Sequence, residues 1–143
     1  FLTGKTDVIM MLNGALGGLV AITAEPLAPT PGAAIIIGAI GGAIVFFGSK
    51  LLFKLKIDDV VGAIPVHMFA GIWGTLAVPL SNAETNFGAQ FLGVISVIAF
   101  VFTVSFVIWK IMASTFGIRV SKEAESKGTD VAEIGVTAYA IRD

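Results

Sequence analysis

The sequence predicts an all-α polytopic membrane protein, and three observations carry that prediction. Of its 143 residues, 56% are hydrophobic and only 13% are charged, against roughly 25% charged in an ordinary soluble domain. The nineteen charges are segregated. Nine lie in 117–143 and five in 50–59, whereas Glu25 is the only one between Val8 and Ser49 and Glu84 the only one between Val60 and Trp109. The charge-poor stretches approach the roughly 20 residues that carry a helix across a ~30 Å hydrocarbon core. None of them keeps the polar stripe that a soluble helix turns to water.

These stretches define a transmembrane region over 1–116, with spans at about 8–24, 31–49, 60–80 and 87–115, and a polar tail over 117–143. The first span is short and glycine-rich, a helix suited to burial among others. The second opens on Pro31, a residue that fits a first helical turn; with Pro26 and Pro29 it also punctuates the preceding loop. The third follows Asp58 and Asp59, either of which suits a helix cap offering a carboxylate to free N–H groups. The fourth has no proline and is charge-free from Phe87 to Trp109. Gly117, Gly128 and Gly135 interrupt the tail.

The loops sort by charge. Lys5, then Lys50, Lys54 and Lys56, then Lys110 and Arg119 fall on one side of an up-and-down path. Loops 25–30 and 81–86 contain no Lys or Arg and fall on the other. Basic loops stay in the cytoplasm, so both ends of the segment are expected there. Phe1 in place of Met gives the chain the look of a fragment or processed product, and no signal-peptide pattern opens it.

Composition also narrows the function. A net charge of −1 leaves no basic surface for nucleic acid. The absence of Cys and the single His leave no thiolate or multi-histidine metal site, and no cofactor is expected. An intramembrane enzyme needs a nucleophile or metal constellation, and one His without Cys is a poor one.

His67 stands near the middle of the third span, where an ionisable group is expensive and is a functional-site hypothesis by default. One reading is a His packed and bonded to a neighbouring helix; the other is a pore-lining group handling a polar or protonated substrate. Pro65, which removes an N–H and disturbs the preceding turn, and the flanking Gly62, Gly71 and Gly74 favour the wall of a conduit. Asn13 and Thr23 read as interhelical hydrogen-bonding groups. Trp73 and Trp109 are candidate interface residues, and Lys110 is placed to snorkel to the surface. Gly14 with Gly18 and Gly38 with Gly42 stand at close-packing spacing, a pattern that also arises by chance in glycine-rich spans.

The run from Asp58-Asp59 through Pro65, His67 and Gly71-Ile-Trp73-Gly74-Thr75 resembles the penultimate membrane helix of the ammonium transporter (Amt/Rh) family. Asn13-Gly14-Ala-Leu-Gly-Gly18 through Thr23 resembles an earlier helix of that family, and Gly117 to Tyr139 resembles its cytoplasmic C-terminal region. The resemblance implies helices eight to eleven of an eleven-helix inverted-repeat channel fold, assembled as a homotrimer in the plasma membrane, in a bacterium the inner membrane. It implies nitrogen acquisition by conduction of ammonium or ammonia through a hydrophobic pore, where two His rings pair and relay a proton. His67 matches the second of those rings, and the expected pore path comprises His67 and Ala63. Asp59 and Thr23 are expected structural residues near the pore. Gly117, Arg119, Gly128, Asp130 and Tyr139 are expected in a regulatory tail that folds over the cytoplasmic mouth and is open to a PII-type signalling protein. Val60 replaces a proline common in the family, and Ile134 and Val136 replace a His and an acidic residue around Gly135. The alternatives are a small membrane-embedded structural or assembly subunit without transport of its own and, for 117–143, a solvated, partly mobile tail.

Overall fold

A computed structural model of the chain describes Gly4 and residues 6–138; Lys5 and Tyr139, which both carry expectations, lie outside the described residues. Among the described residues every regular element is helical. Helices α1 (Val8–Ile22) and α2 (Pro31–Lys54) are followed by a π turn at Ile64–Phe69 that continues into α3 (Ala70–Ala77) and a 3₁₀ turn at Val78–Leu80. Then come α4 (Phe87–Thr115), the short α5 (Lys122–Lys127) and a second π turn at Asp130–Ile134. The chain forms two compact units, Phe1–Val97 and Ile98–Asp143.

Polar side chains start the helices by accepting the backbone N–H groups that a first turn leaves free. Asp7 Oδ1 accepts from Met10 N at 2.9 Å, and Thr30 Oγ1 accepts from Ala33 N at 3.3 Å with Pro31 next in sequence. Asn86 Oδ1 accepts from Ala89 N at 2.8 Å, and Ser121 Oγ accepts from Ala124 N at 3.1 Å. Helix α2 runs past its first lysine, Lys50, whose ammonium sits 4.2 Å from the centroid of the Phe46 ring. It ends in a Schellman arrangement: Ile57 N–H donates to Leu52 O at 3.0 Å and Lys56 N–H to Phe53 O at 3.1 Å. Lys56 therefore adopts φ +59° without being glycine.

Glycines set the packing of the first unit. A Cβ at Gly18 would stand 3.0 Å from Gly38 O, one at Gly42 3.0 Å from Gly14 O, and one at Gly41 2.7 Å from Gly17 O. The backbones of α1 and α2 are thus in direct contact, and the small-residue spacing reflects a packed face. Gly74 does the same for the third helix, whose backbone rests on Ala21 of α1. Two small apolar cores follow, one of Ala21, Ile37 and Ala77 and one of Val45, Val66 and Ala70.

The three helical segments run up, down and up. Asn82 Nδ2 donates to Glu25 Oε2 at 3.1 Å, so the two loops without Lys or Arg lie at the same end. Asp7, Met10, Ser49 and Lys50 line one recess at the other end. Two helices, α2 with 24 residues and α4 with 29, are long and apolar enough to cross a membrane; Val8–Ile22 and Ile64–Leu80 are shorter apolar helices. At ~1.5 Å per residue α4 extends over about 43 Å, and none of its residues is buried.

Candidate functional site

The helix that carries His67 begins later than the sequence suggests, and the reason is local. Gly62 adopts φ +76°, a strained conformation for a residue with a side chain, and a Cβ there would fall 2.5 Å from Asn13 Nδ2 and displace that amide. The chain turns at this glycine and becomes helical from Ala63. Both oxygens of Asp59 then accept from the new helix: Oδ1 from Ala63 N at 2.8 Å and Oδ2 from Ile64 N at 2.9 Å. Pro65 follows and has no N–H to satisfy. Val66 N–H donates to Gly62 O at 3.2 Å and starts the regular pattern. Every backbone donor of the first turn is thereby accounted for without water. Pro65 stands in that first turn, not in mid-helix, so there is no preceding helical turn for it to disturb, contrary to the expectation from the sequence.

From Ile64 to Phe69 the helix widens into a π turn, with Ala70 N–H reaching back to Pro65 O. Such turns are rare and concentrate at functional sites. One face packs inward: Pro65 and Val66 are buried, and Gly48 of α2 leaves room for Pro65 and Phe69. His67 and Met68 point the other way and are exposed, as is Ala63 one helical turn earlier. The His67 ring makes no hydrogen bond among the described residues, so the reading of a His bonded to a neighbouring helix is not realised within them. A recess of about 220 Å³ lies beside Asp59, lined by Ser49, Leu52 and Gly62 among others.

The other polar groups of the first unit divide by what they bind. Asn13 Nδ2 donates to Val61 O at 2.9 Å, a bond from α1 to the loop before the next helix where the sequence suggested an interhelical one. Thr23 differs from expectation: its hydroxyl donates to Val20 O of its own helix at 2.7 Å and closes α1. A short hydroxyl at a helix end finds the carbonyl three residues back sooner than a neighbouring helix. Trp73 is a packing residue and not an interface marker, because its Nε1–H donates to Ile37 O of α2 at 3.0 Å. The Glu25–Asn82 bond was not foreseen; its one signal in the sequence is that Glu25 stands alone in a long uncharged stretch.

The second unit holds the tail residues. Gly117 has φ +75° and follows the end of α4. Arg119 forms an ion pair with Glu125 at 2.6 Å, and that carboxylate holds the guanidinium above its ordinary pKa. Gly128 has φ +99°, and a Cβ there would lie 2.6 Å from Asp130 Oδ1. Asp130 Oδ2 accepts from Ala138 N at 2.8 Å. That bond, with a second from Val131 N–H, holds the Asp130 carboxyl below the usual carboxylate range. Gly128 and Asp130 are thus brought together in one turn.

An apolar helical bundle with glycine-mediated contacts, long lipid-length helices and a polar tail defines an integral membrane protein. The sequence profile of the Ammonium Transporter Family matches residues 1–139, and the chain belongs to that family. It is 38% identical over 157 residues to the ammonium transporter Amt2 of Archaeoglobus fulgidus, covering 95% of this chain and 33% of the relative. It is 38% identical over 141 residues to the ammonium transporter Amt1 of Haloferax mediterranei, covering 95% and 27%. It is 36% identical over 151 residues to the ammonium transporter of Bacillus subtilis, covering 94% and 37%. The chain therefore spans about a third of the length of these curated relatives.

Proposed function

We propose that this chain is the C-terminal segment of a transporter that conducts ammonium or ammonia through a hydrophobic pore, with His67 in the pore wall. The observation that carries the reading is an exposed imidazole, without a hydrogen bond among the described residues, held on a π turn of an apolar helix. A bare ammonium ion crosses hydrocarbon only at a heavy desolvation cost. A neutral imidazole both accepts and donates a proton, so it serves a path in which ammonia moves through an apolar channel and the proton is handled separately. Ala63 lies on the same exposed side and belongs to that path. Asp59 and Thr23 hold the ends of their helices beside it.

In this reading the four apolar helices are spans of an eleven-helix inverted repeat, the shorter two surrounded by other helices. The lysine-rich end faces the cytoplasm, in bacteria across the inner membrane. The intact protein is a homotrimer. Residues 117–143 form a regulatory tail in which Arg119 fixes the start and the Gly128–Asp130 turn the middle, with Tyr139 near its end and a PII-type protein as partner.

The test is methylammonium uptake by the intact protein in vesicles. His67→Ala is expected to lower uptake by about a hundredfold, the lower part of what a positioned acid–base group contributes, while insertion survives. The 143-residue segment alone is expected to give no saturable uptake. Wild-type flux in His67→Ala would refute the reading, as would saturable uptake by the segment alone.

A further inference from the structure

We propose that Asn13 and Trp73 are the positioning residues of His67: two hydrogen bonds from side chain to backbone, one on each side of the imidazole, fix the height and rotation of the π turn that presents it. Asn13 ties the chain at Val61, and Trp73 ties it to Ile37 of α2. Both anchor points lie six residues from His67. The upstream flank is thereby held to α1 and the downstream flank to α2. Those two helices are themselves locked by the contacts of Gly18 with Gly38 and of Gly42 with Gly14.

The two ties act on opposite flanks of the π turn. A π turn is a local departure from the α-helical pattern, and reverting to α geometry would rotate everything before it relative to everything after it. Packing of Pro65, Val66 and Gly74 seats the helix, and the two hydrogen bonds fix the register of the flanks on either side of His67. An amide amid apolar residues is costly unless bonded, and Asn13 Nδ2 is bonded at Val61. It reaches Val61 only because Gly62 has no Cβ, which would otherwise stand 2.5 Å from Nδ2. The loop it holds is also the one from which Asp59 caps the helix, so a shift at Val61 passes directly to Ala63 and Ile64. The proposal rests on the transport reading only for what His67 does.

The experiment uses the intact protein in vesicles, with methylammonium as the probe and hydrogen exchange of the same preparations. Asn13→Leu keeps the volume and loses the donor, and Trp73→Phe keeps a ring and loses the N–H. Each is expected to lower the saturated uptake rate about tenfold, equivalent to about 1.4 kcal/mol, with the half-saturating concentration changed by less than about twofold. Amide exchange over 66–70 quickens in both, and Asn13→Gln, which retains the amide, recovers most of the rate. Wild-type rate and exchange in both variants would overturn the proposal. So would a rate loss that Asn13→Gln leaves in place or that runs in parallel with half-saturation. If the unmutated protein carries no methylammonium, the transport reading alone fails, and the exchange result still decides: faster exchange supports the positioning, unchanged exchange overturns it.

Discussion

Removing the Asp59 carboxylate should unlock the start of the His67 helix and little else. The side chain accepts two bonds from consecutive backbone donors at 2.8 and 2.9 Å. A hydrogen bond to a charged group contributes about 1.5–3 kcal/mol net, whereas replacing an N-cap by Ala typically costs about 1 and at most about 2 kcal/mol. Asp59 is only half-buried, so water reaches the orphaned donors in part, and the bonded sum is an upper bound. A cost of about 2–3 kcal/mol for Asp59→Ala follows, a roughly hundredfold rise in local opening. Hydrogen exchange of the intact protein reads this directly: amides of Ala63, Ile64 and Val66 should exchange about a hundredfold faster, with α1 unchanged. Asp59→Asn retains one acceptor and should show about a tenfold rise. Unchanged exchange in Asp59→Ala would refute the capping argument, and an equal rise across α1 and α2 would show that Asp59 serves the whole bundle.

Lys56 spends a left-handed conformation at the end of α2, φ +59°, where glycine is the natural occupant. Lys56→Gly is therefore expected to stabilise the protein by up to about 1 kcal/mol, read as greater resistance to denaturation by detergent; destabilisation would contradict the Schellman assignment. Gly74→Val places a side chain against the Ala21 backbone of α1; overpacking of this kind costs about 1–3 kcal/mol, and a yield and unfolding midpoint equal to wild type would deny the close approach. The Asp130 carboxyl is held below its ordinary range by N–H groups of Ala138 and Val131. A depressed native pKa adds stability above the unfolded value of about 3.9, lost as pH falls through the native value. The Ala138 amide should therefore stay protected at neutral pH and lose protection only in acid. A transition centred at or above the ordinary Asp value would reverse the argument.

Much of this site was legible in the sequence because it is made of residues with few alternatives. A carboxylate before an apolar run caps a helix, so the sequence narrows the cap to Asp58 or Asp59, and the structure selects Asp59. An amide among apolar residues needs a partner, so Asn13 reads as a tie from the sequence, although its partner Val61 lies in a loop and not on another helix. Paired glycines at a spacing of four marked the α1–α2 contact. The failures share one physical cause. Thr23 and Pro65 were read as if their neighbourhood were a regular helix, whereas each stands within a few residues of a helix end, where backbone donors and acceptors are free. Gly62 decides the second case: its positive φ moves the helix start from about residue 60 to Ala63, and Pro65 passes from a breaker to a residue that lacks only a donor nobody needs. The π turn had no signal at all in the sequence, because its register depends on bonds made at Val61 and Trp73, on either side of the turn. A widening between two tied flanks is a property of the packed bundle rather than of the His67 helix alone.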